Sequence, residues 1–248
     1  MICRKNRLKH VLMLLVIGFS GFVHAQPTTI RVLLITGGHD YNQQEFNRMF
    51  DSLPGPVSYK IAELPAAFAL FEPKHRHEYN VIVFYHMWQT ITAEQESTMA
   101  DCILQGKPLV VLHHSICAFD DWDEYRHIIG GKYFHRPDTV DNIVLPVSSY
   151  EHDVNISIHV KDLSHPVTKG MDDFVLWDET YDDFYVEPGV IPLLTTDNPG
   201  SSPVIGWTKE YGQARVVTLQ SGHDTPTFRN SNYRKLLWQA ILWVHQHK

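Results

Sequence analysis

Cysteine is scarce in this 248-residue sequence: Cys3, Cys102 and Cys117 are the whole set. A disulfide-rich scaffold is therefore excluded, and with no Cys-x-x-Cys pair so is a compact thiolate metal site. No His-Glu-x-x-His segment occurs either, so a metal would need ligands dispersed along the chain. Basic residues are outnumbered, 21 Lys and Arg against 28 Asp and Glu, for a formal charge of −7. Binding along a phosphate backbone relies on Lys and Arg neutralising phosphates, so nucleic acid is excluded as a partner. Internal repeats, low-complexity segments and domain linkers are lacking. Long apolar runs are lacking as well, with one exception at the start.

That exception reads as a secretion signal over residues 1–25. Arg4, Lys5, Arg7 and Lys9 form a basic start, and Val11 to Val23 is too short to span a membrane as a mature helix. Val23-His24-Ala25 is a small-x-small cleavage site, and an uncleaved anchor is the competing reading. Cleavage predicts a periplasmic or secreted bacterial protein with no membrane attachment. It removes four basic and no acidic residues, taking the formal charge from −7 to −11. The acidic remainder suits a small neutral ligand. In an exported chain Cys102 and Cys117 could pair, and the sequence does not give their distance.

Residues 26–248 have the length of one α/β domain. Ile30 to Ile35, Val57 to Ile61, Tyr79 to Tyr85 and Leu109 to Leu112 read as strands. Asn42 caps a helix to about Asp51, and Thr92 caps another to Gln105. This alternation predicts a doubly wound parallel sheet. The second half is strand-rich around Ile143 to Val147, Asn155 to Val160, Val190 to Thr195, Val204 to Thr208 and Arg215 to Leu219, with a hairpin turn at Tyr211-Gly212-Gln213. A last helix starts at Asn230 or Ser231. Its packing stripe is Tyr233, Leu236, Leu237, Ala240, Ile241 and Val244. Residues 120–140 and 161–190 read as insertions that wall the site.

Histidine is abundant: 14 of 16 lie after residue 25. Ligands in open α/β sheets bind beyond the carboxyl ends of the strands. There stand His39-Asp40, His86-Met87, His113-His114-Ser115 and His223-Asp224, with Trp177 to Tyr181 as an acidic, aromatic loop. Two readings are open. Three or four of His39, His86, His114, Glu179 and His223 hold a divalent metal, zinc above all. Alternatively the same groups act as acids and bases without metal. Strand alternation sends His113 and His114 to opposite sides, and His114 is the one assigned to the pocket. Asp224, Trp177, Tyr181, Trp88 and His135 are candidates for binding sugar hydroxyls and ring faces.

The segments GGHDYN at 37–42, LHHS at 112–115, DWDEYRHIIGGKYFHRP at 121–137, LSHPVTKGM at 163–171, WDETYDDFY at 177–185 and GQARVVTLQSGHD at 212–224, in this order, resemble the ThuA-like family, named for a trehalose-utilisation protein. The resemblance implies one ThuA-like domain over 26–248. The implied fold is the flavodoxin-like, three-layer, doubly wound, mostly parallel sheet of class I glutamine amidotransferases, with extra strands in the C-terminal half. It also implies sugar catabolism passing through 3-keto-glycosides, with a sugar oxidoreductase as pathway partner. The chain departs from true amidotransferases at Leu112 to Cys117, which lacks the glycines that let a strained elbow present a nucleophile. Cys117 and Ser115 are therefore not expected to serve as nucleophiles.

The expectation is an exported enzyme that processes a keto-sugar or 3-keto-glycoside by proton abstraction with elimination or isomerisation, or by hydrolysis. His114, Glu179, His223 and His39 are its working residues, and His86, His114, Glu179 and His223 its metal set. An oligomer is compatible with the chain. The rival expectation is a non-catalytic sugar-binding or accessory protein serving a sugar oxidoreductase.

Overall fold

The computed structural model describes residues 28–246, so the secretion signal expected over 1–25 lies outside the described residues. Nine strands form the main sheet: β1 (Ile30–Gly37), β2 (Val57–Glu63), β3 (Val81–His86), β4 (Leu109–Leu112), β5 (Ser149–Val160), β6 (Phe174–Asp182), β7 (Ile191–Thr195), β8 (Val204–Tyr211) and β9 (Ala214–Leu219). Their order is β2-β1-β3-β4-β9-β8-β7-β5-β6. The first five are mutually parallel; the pairs from β9 to β6 are antiparallel.

Strands β1, β3, β4 and β9 are buried on both faces, as their near-continuous apolar sequences require, while β2 at the edge stays half-exposed. Side chains of successive strand residues go to opposite faces. Val32, Leu34, Val83, Tyr85, Val110 and Leu112 pack on one side, against the helices α1 (Gln43–Asp51), α4 (Thr225–Arg229) and α5 (Ser231–His245). Leu33, Ile35, Ile82, Phe84, Leu109 and Val111 pack on the other, against α2 (Ala93–Leu104) and α3 (Asp123–Ile129). The helix signals in the sequence act as read. Asn42 accepts from the Glu45 N–H, Thr92 and Gln95 form a reciprocal capping box, and Asn230 accepts from the N–H groups of Asn232 and Tyr233. All six stripe residues of α5 are buried.

One expectation is corrected. Trp177 to Tyr181 is not a loop but the centre of β6. Asp and Glu are poor strand formers, and Asp178 and Glu179 mask the alternation of Phe174 and Leu176 inward with Val175 and Trp177 outward. Ile143–Leu145 lies outside the main sheet, in a small hairpin with Asp138–Val140. Cys102 and Cys117 are both buried and unpaired.

The carboxyl ends of β1, β3, β4 and β9 share one rim, because these strands are parallel neighbours. After β9 the chain turns through Gly222, at φ 133°. A Cβ there would stand 2.5 Å from Tyr233 Oη, so glycine both adopts this φ and leaves room for the tyrosine hydroxyl. Gly222→Ala should cost about 2–4 kcal/mol, from backbone strain and overpacking together. The urea midpoint measures it, and a midpoint equal to wild type would refute this account of the turn.

Candidate functional site

β4 stops at Leu112 and runs directly into a 3-10 turn, His113–Cys117. His113 makes the bend with φ 45°, a left-handed conformation that costs a non-glycine residue about 1–2 kcal/mol. The bend ends the strand's alternation. His113 and His114 therefore turn to the same centre, with ring centroids 4.2 Å apart, rather than to opposite sides.

His113 is fully buried and tightly partnered. Its Nδ1 stands 2.6 Å from the carbonyl oxygen of Gln220, in the segment that follows β9, the strand beside β4. A carbonyl only accepts, so Nδ1 carries a proton and donates it. Nε2 is then a lone pair in the neutral ring and a second donor in the protonated one. It faces Glu179 Oε2 at 2.8 Å and His223 Nδ1 at 3.2 Å, and His223 Nδ1 stands 3.0 Å from the same carboxylate oxygen. Three electron-rich atoms thus converge, and a cation must lie among them: a proton or a metal ion. Ligands about 2.0–2.2 Å from a tetrahedral zinc are about 3.3 Å from one another, close to these spacings. With His114 the set numbers four, its ligand atoms all within 4.8 Å of one another. His113, His114, Glu179 and His223 can hold a metal ion.

The surroundings hold the set in place. Both Asp178 carboxylate oxygens accept backbone N–H groups, from Gly222 at 2.7 Å and His223 at 2.8 Å. Gln220 Nε2 donates to the Glu179 carbonyl at 2.8 Å, and the Tyr85 hydroxyl lies 3.1 Å from the carbonyls of Gly222 and His223. The Tyr181 ring stacks on His113 with centroids 5.0 Å apart, and its hydroxyl lies 3.2 Å from His113 Nε2 and 3.1 Å from His114 Nδ1. His152, from a bulge in β5, brings Nδ1 to 3.5 Å from the other Glu179 oxygen. Bulges re-aim side chains in this way beside functional sites.

Burial would push the Glu179 carboxyl up, but hydrogen bonds and charge from His113 and His223 outweigh it and hold it at about 2. The His223 imidazole moves the opposite way from what burial dictates: its bond to Glu179 raises it. His114 is held well below the usual range by burial, then by charge on His113, His39, His223 and His152. One carboxylate ringed by imidazoles is thus kept ionised, which suits cation binding.

A family model, ThuA, described as trehalose utilisation, matches residues 31–244. The chain belongs to the ThuA family. Solved structures agree on the fold. A ThuA-like protein from Parabacteroides merdae superposes with a TM-score of 0.73 at 21% identity, over 89% of this chain and 91% of that one. One from Bacteroides uniformis gives 0.66 at 19%, over 87% and 91%. A GMP synthase protein from Thermoplasma acidophilum gives 0.50 at 9%, over 86% and 92%, a likeness of fold alone. No curated protein matches the chain.

In this ThuA-family chain His39, His114, Glu179 and His223 do meet at one rim, the His39 ring tilted against that of His114 at 4.3 Å between centroids. His86 does not join them. As the last residue of β3 it points into the core between Phe84 and Phe119, its Nδ1 accepting from the Trp88 N–H at 3.4 Å and its Nε2 without a partner. Trp177 lies on the outer face of β6, 44% exposed. Trp88 packs partly against the α2/α3 side and donates its indole N–H to Thr90 O. Tyr181 is buried beneath the histidines, so it supports His113 rather than offering an open ring face. Asp224 sits half-buried next to His223, at the cap position of α4. His135 is exposed and donates from Nε2 to Cys117 O at 2.9 Å. Cys117 and Ser115 are buried, and Ser115 Oγ is taken up by the His86 N–H.

Sequence reasoning missed His113, His152, Asp178 and Gln220. His113 was hidden by the assumption of strand alternation. The others carry no local signal, because their partners lie 40 or more residues away in the chain or, for His152, across a bulge that no residue type announces.

Burial holds the His86 imidazole down at about 3, against 6.5 when exposed, so it folds neutral. Its contribution to stability is complete above pH 6.5 and is lost as pH falls toward 3, by up to about 1.4 kcal/mol per pH unit. His86→Phe should flatten that part of the acid limb between pH 6.5 and 4.5 in chemical unfolding. An unchanged slope would show that His86 is solvated in the folded state.

Proposed function

We propose that this protein is an exported carbohydrate-processing enzyme whose centre, His113, His114, Glu179 and His223, binds a divalent metal, zinc by preference, and acts on a keto-sugar or 3-keto-glycoside. One observation carries the reading. The Gln220 carbonyl holds a proton on His113 Nδ1 and leaves Nε2 as the nitrogen that faces Glu179 and His223 and could ligate a metal. A histidine whose far nitrogen is bonded to a carbonyl is the usual form of a metal ligand. The nitrogen and carboxylate donors suit zinc, and trehalose utilisation in the family description supports a sugar as substrate. The basic and apolar N-terminal run supports export.

A bound divalent ion supplies Lewis acidity toward a sugar carbonyl oxygen. The chain's own residues do the rest. His39, held between the Asp40 and Tyr85 carbonyls, and His152, beside Glu179, border the centre without belonging to the ligand set, so they are the imidazoles assigned to move protons. A ketone at C3 acidifies the C2–H bond. The C2 proton passes to an imidazole while its electron pair moves onto the keto oxygen. Expulsion of the C1 substituent completes an elimination; return of a proton to the neighbouring carbon completes an isomerisation. Asp224 is placed beside His223 to accept from a sugar hydroxyl.

Elemental analysis should find about one zinc per chain, and turnover of a 3-keto-glucoside should stop with a chelator and return with zinc. His113→Ala and Glu179→Ala should lose the metal and at least ~10²-fold in activity. His39→Ala should lose activity with metal content intact. Metal-free protein with full turnover would overturn the metal assignment. Thermal stabilisation by the sugar with no turnover of any keto-sugar would replace the enzyme with a binding protein.

Cys117 is buried against Tyr181, and burial pushes its thiol up, the wrong direction for a nucleophile. Cys117→Ala should therefore retain wild-type turnover. Loss of activity in a folded variant would bring cysteine-based hydrolysis back.

A further inference from the structure

The histidine centre has an open side. Side-chain exposure rises through it in order, from 0% at His113 and 5% at Glu179 to 28% at His223 and 46% at His152. The next ring outward is Tyr150, 59% exposed, its centroid 5.0 Å from that of His152. His152 in turn lies 4.7 Å from His223 between centroids, with Nδ1 3.5 Å from Glu179 Oε1. A ligand that reaches Glu179 from solvent on this side passes Tyr150.

Strand register puts Tyr150 there. It pairs with Tyr181 across β5 and β6, so both side chains leave the sheet on the same face. Glu179, two residues before Tyr181, leaves on that face as well. His152 follows Tyr150 by two residues, where the bulge begins that leaves the imidazole at the carboxylate. The Tyr150 and His152 planes stand at 70°. Such a pair makes a corner: a flat ligand lying along the tyrosine presents its edge to the imidazole.

This corner matches the shape of a sugar. Hydroxyls radiate from the edge of a pyranose ring, and its faces carry C–H groups. Those faces bury well against an aromatic ring, while the edge needs polar partners. Tyr181 is buried beneath the histidines and Trp88 packs against the α2/α3 side, so neither offers its face to a ligand. Tyr150 does. We propose that Tyr150 is the platform of this site: its ring takes the C–H face of the reacting sugar and turns the edge that loses a proton toward His152. The proposal rests on the reading of the histidine centre as a keto-sugar enzyme.

The test uses the zinc-loaded protein and methyl 3-keto-α-glucoside. Tyr150→Ala should raise KM about tenfold and change kcat by less than about twofold, with the melting temperature kept because the ring is exposed. Tyr150→Phe and Tyr150→Trp should restore KM, whereas Tyr150→Leu, apolar but not flat, should stay near the alanine value. The new indole of Tyr150→Trp should change its fluorescence as the sugar binds, with a midpoint at the KM. Turnover with the same KM in Tyr150→Ala as in wild type overturns the platform and leaves the histidine reading intact. A lowered melting temperature and a fallen kcat that no aromatic variant rescues would show a structural role instead, and overturn it too. If wild type turns over no keto-sugar, calorimetry with the same sugar decides. Binding that Tyr150→Ala weakens about tenfold and Tyr150→Trp restores keeps the platform and removes the reaction. Sugar binding that is absent from wild type, or equal in wild type and Tyr150→Ala, overturns the platform.

Discussion

The hydrogen bond from His113 Nδ1 to the Gln220 carbonyl is the constraint on which the site depends. It requires β4 and β9 to be parallel neighbours, so that both strands end at one rim. It requires the left-handed bend at His113, and the turn through Gly222 that carries the chain on from Gln220. It also decides where the proton sits, and so what the opposite nitrogen can do. With Nδ1 donating, Nε2 is the nitrogen that faces Glu179 and His223, and these groups must share a cation, a proton or a metal ion. A strained backbone residue at a functional centre is tolerable when the surroundings over-determine it, as this one's do.

The second constraint is the cost of burying carboxylates. Asp178 and Glu179 lie side by side within a strand and both are almost wholly buried. Each is offset differently. Asp178 receives two backbone N–H groups and thereby ties β6 to the loop after β9. Glu179 receives imidazoles and stays ionised. β6 is the last strand in the sheet order, yet its centre meets the carboxyl ends of β4 and β9. The antiparallel half of the sheet therefore does more than extend the fold. It delivers the only carboxylate of the candidate metal set to a rim built by the parallel half.

Much of this architecture is legible in the sequence because it rests on local or periodic signals. The capping residues Asn42, Thr92 and Asn230, the apolar stripe of α5 and the brief buried strand Leu109 to Leu112 each act within a few residues of themselves. The strand over 174–182 is not legible, because Asp178 and Glu179 replace its apolar pattern at the very positions where distant partners compensate them. His86 illustrates the opposite failure. By position it stands at a strand end like His39, but its side chain falls on the core face, and a core imidazole stays neutral through burial.

The sequence by itself determined which residue types could reach one rim: the strand and turn pattern places His39, His114 and His223 just beyond strand ends. Tertiary structure alone decided that His113 belongs with them, that His86 does not, and that Glu179 is the carboxylate they share. The physical reason is that a ligand set is defined by distances of about 3 Å and by the position of single protons. Those are fixed by a bend at one residue and by hydrogen bonds spanning 66 to 110 positions, which no local pattern encodes.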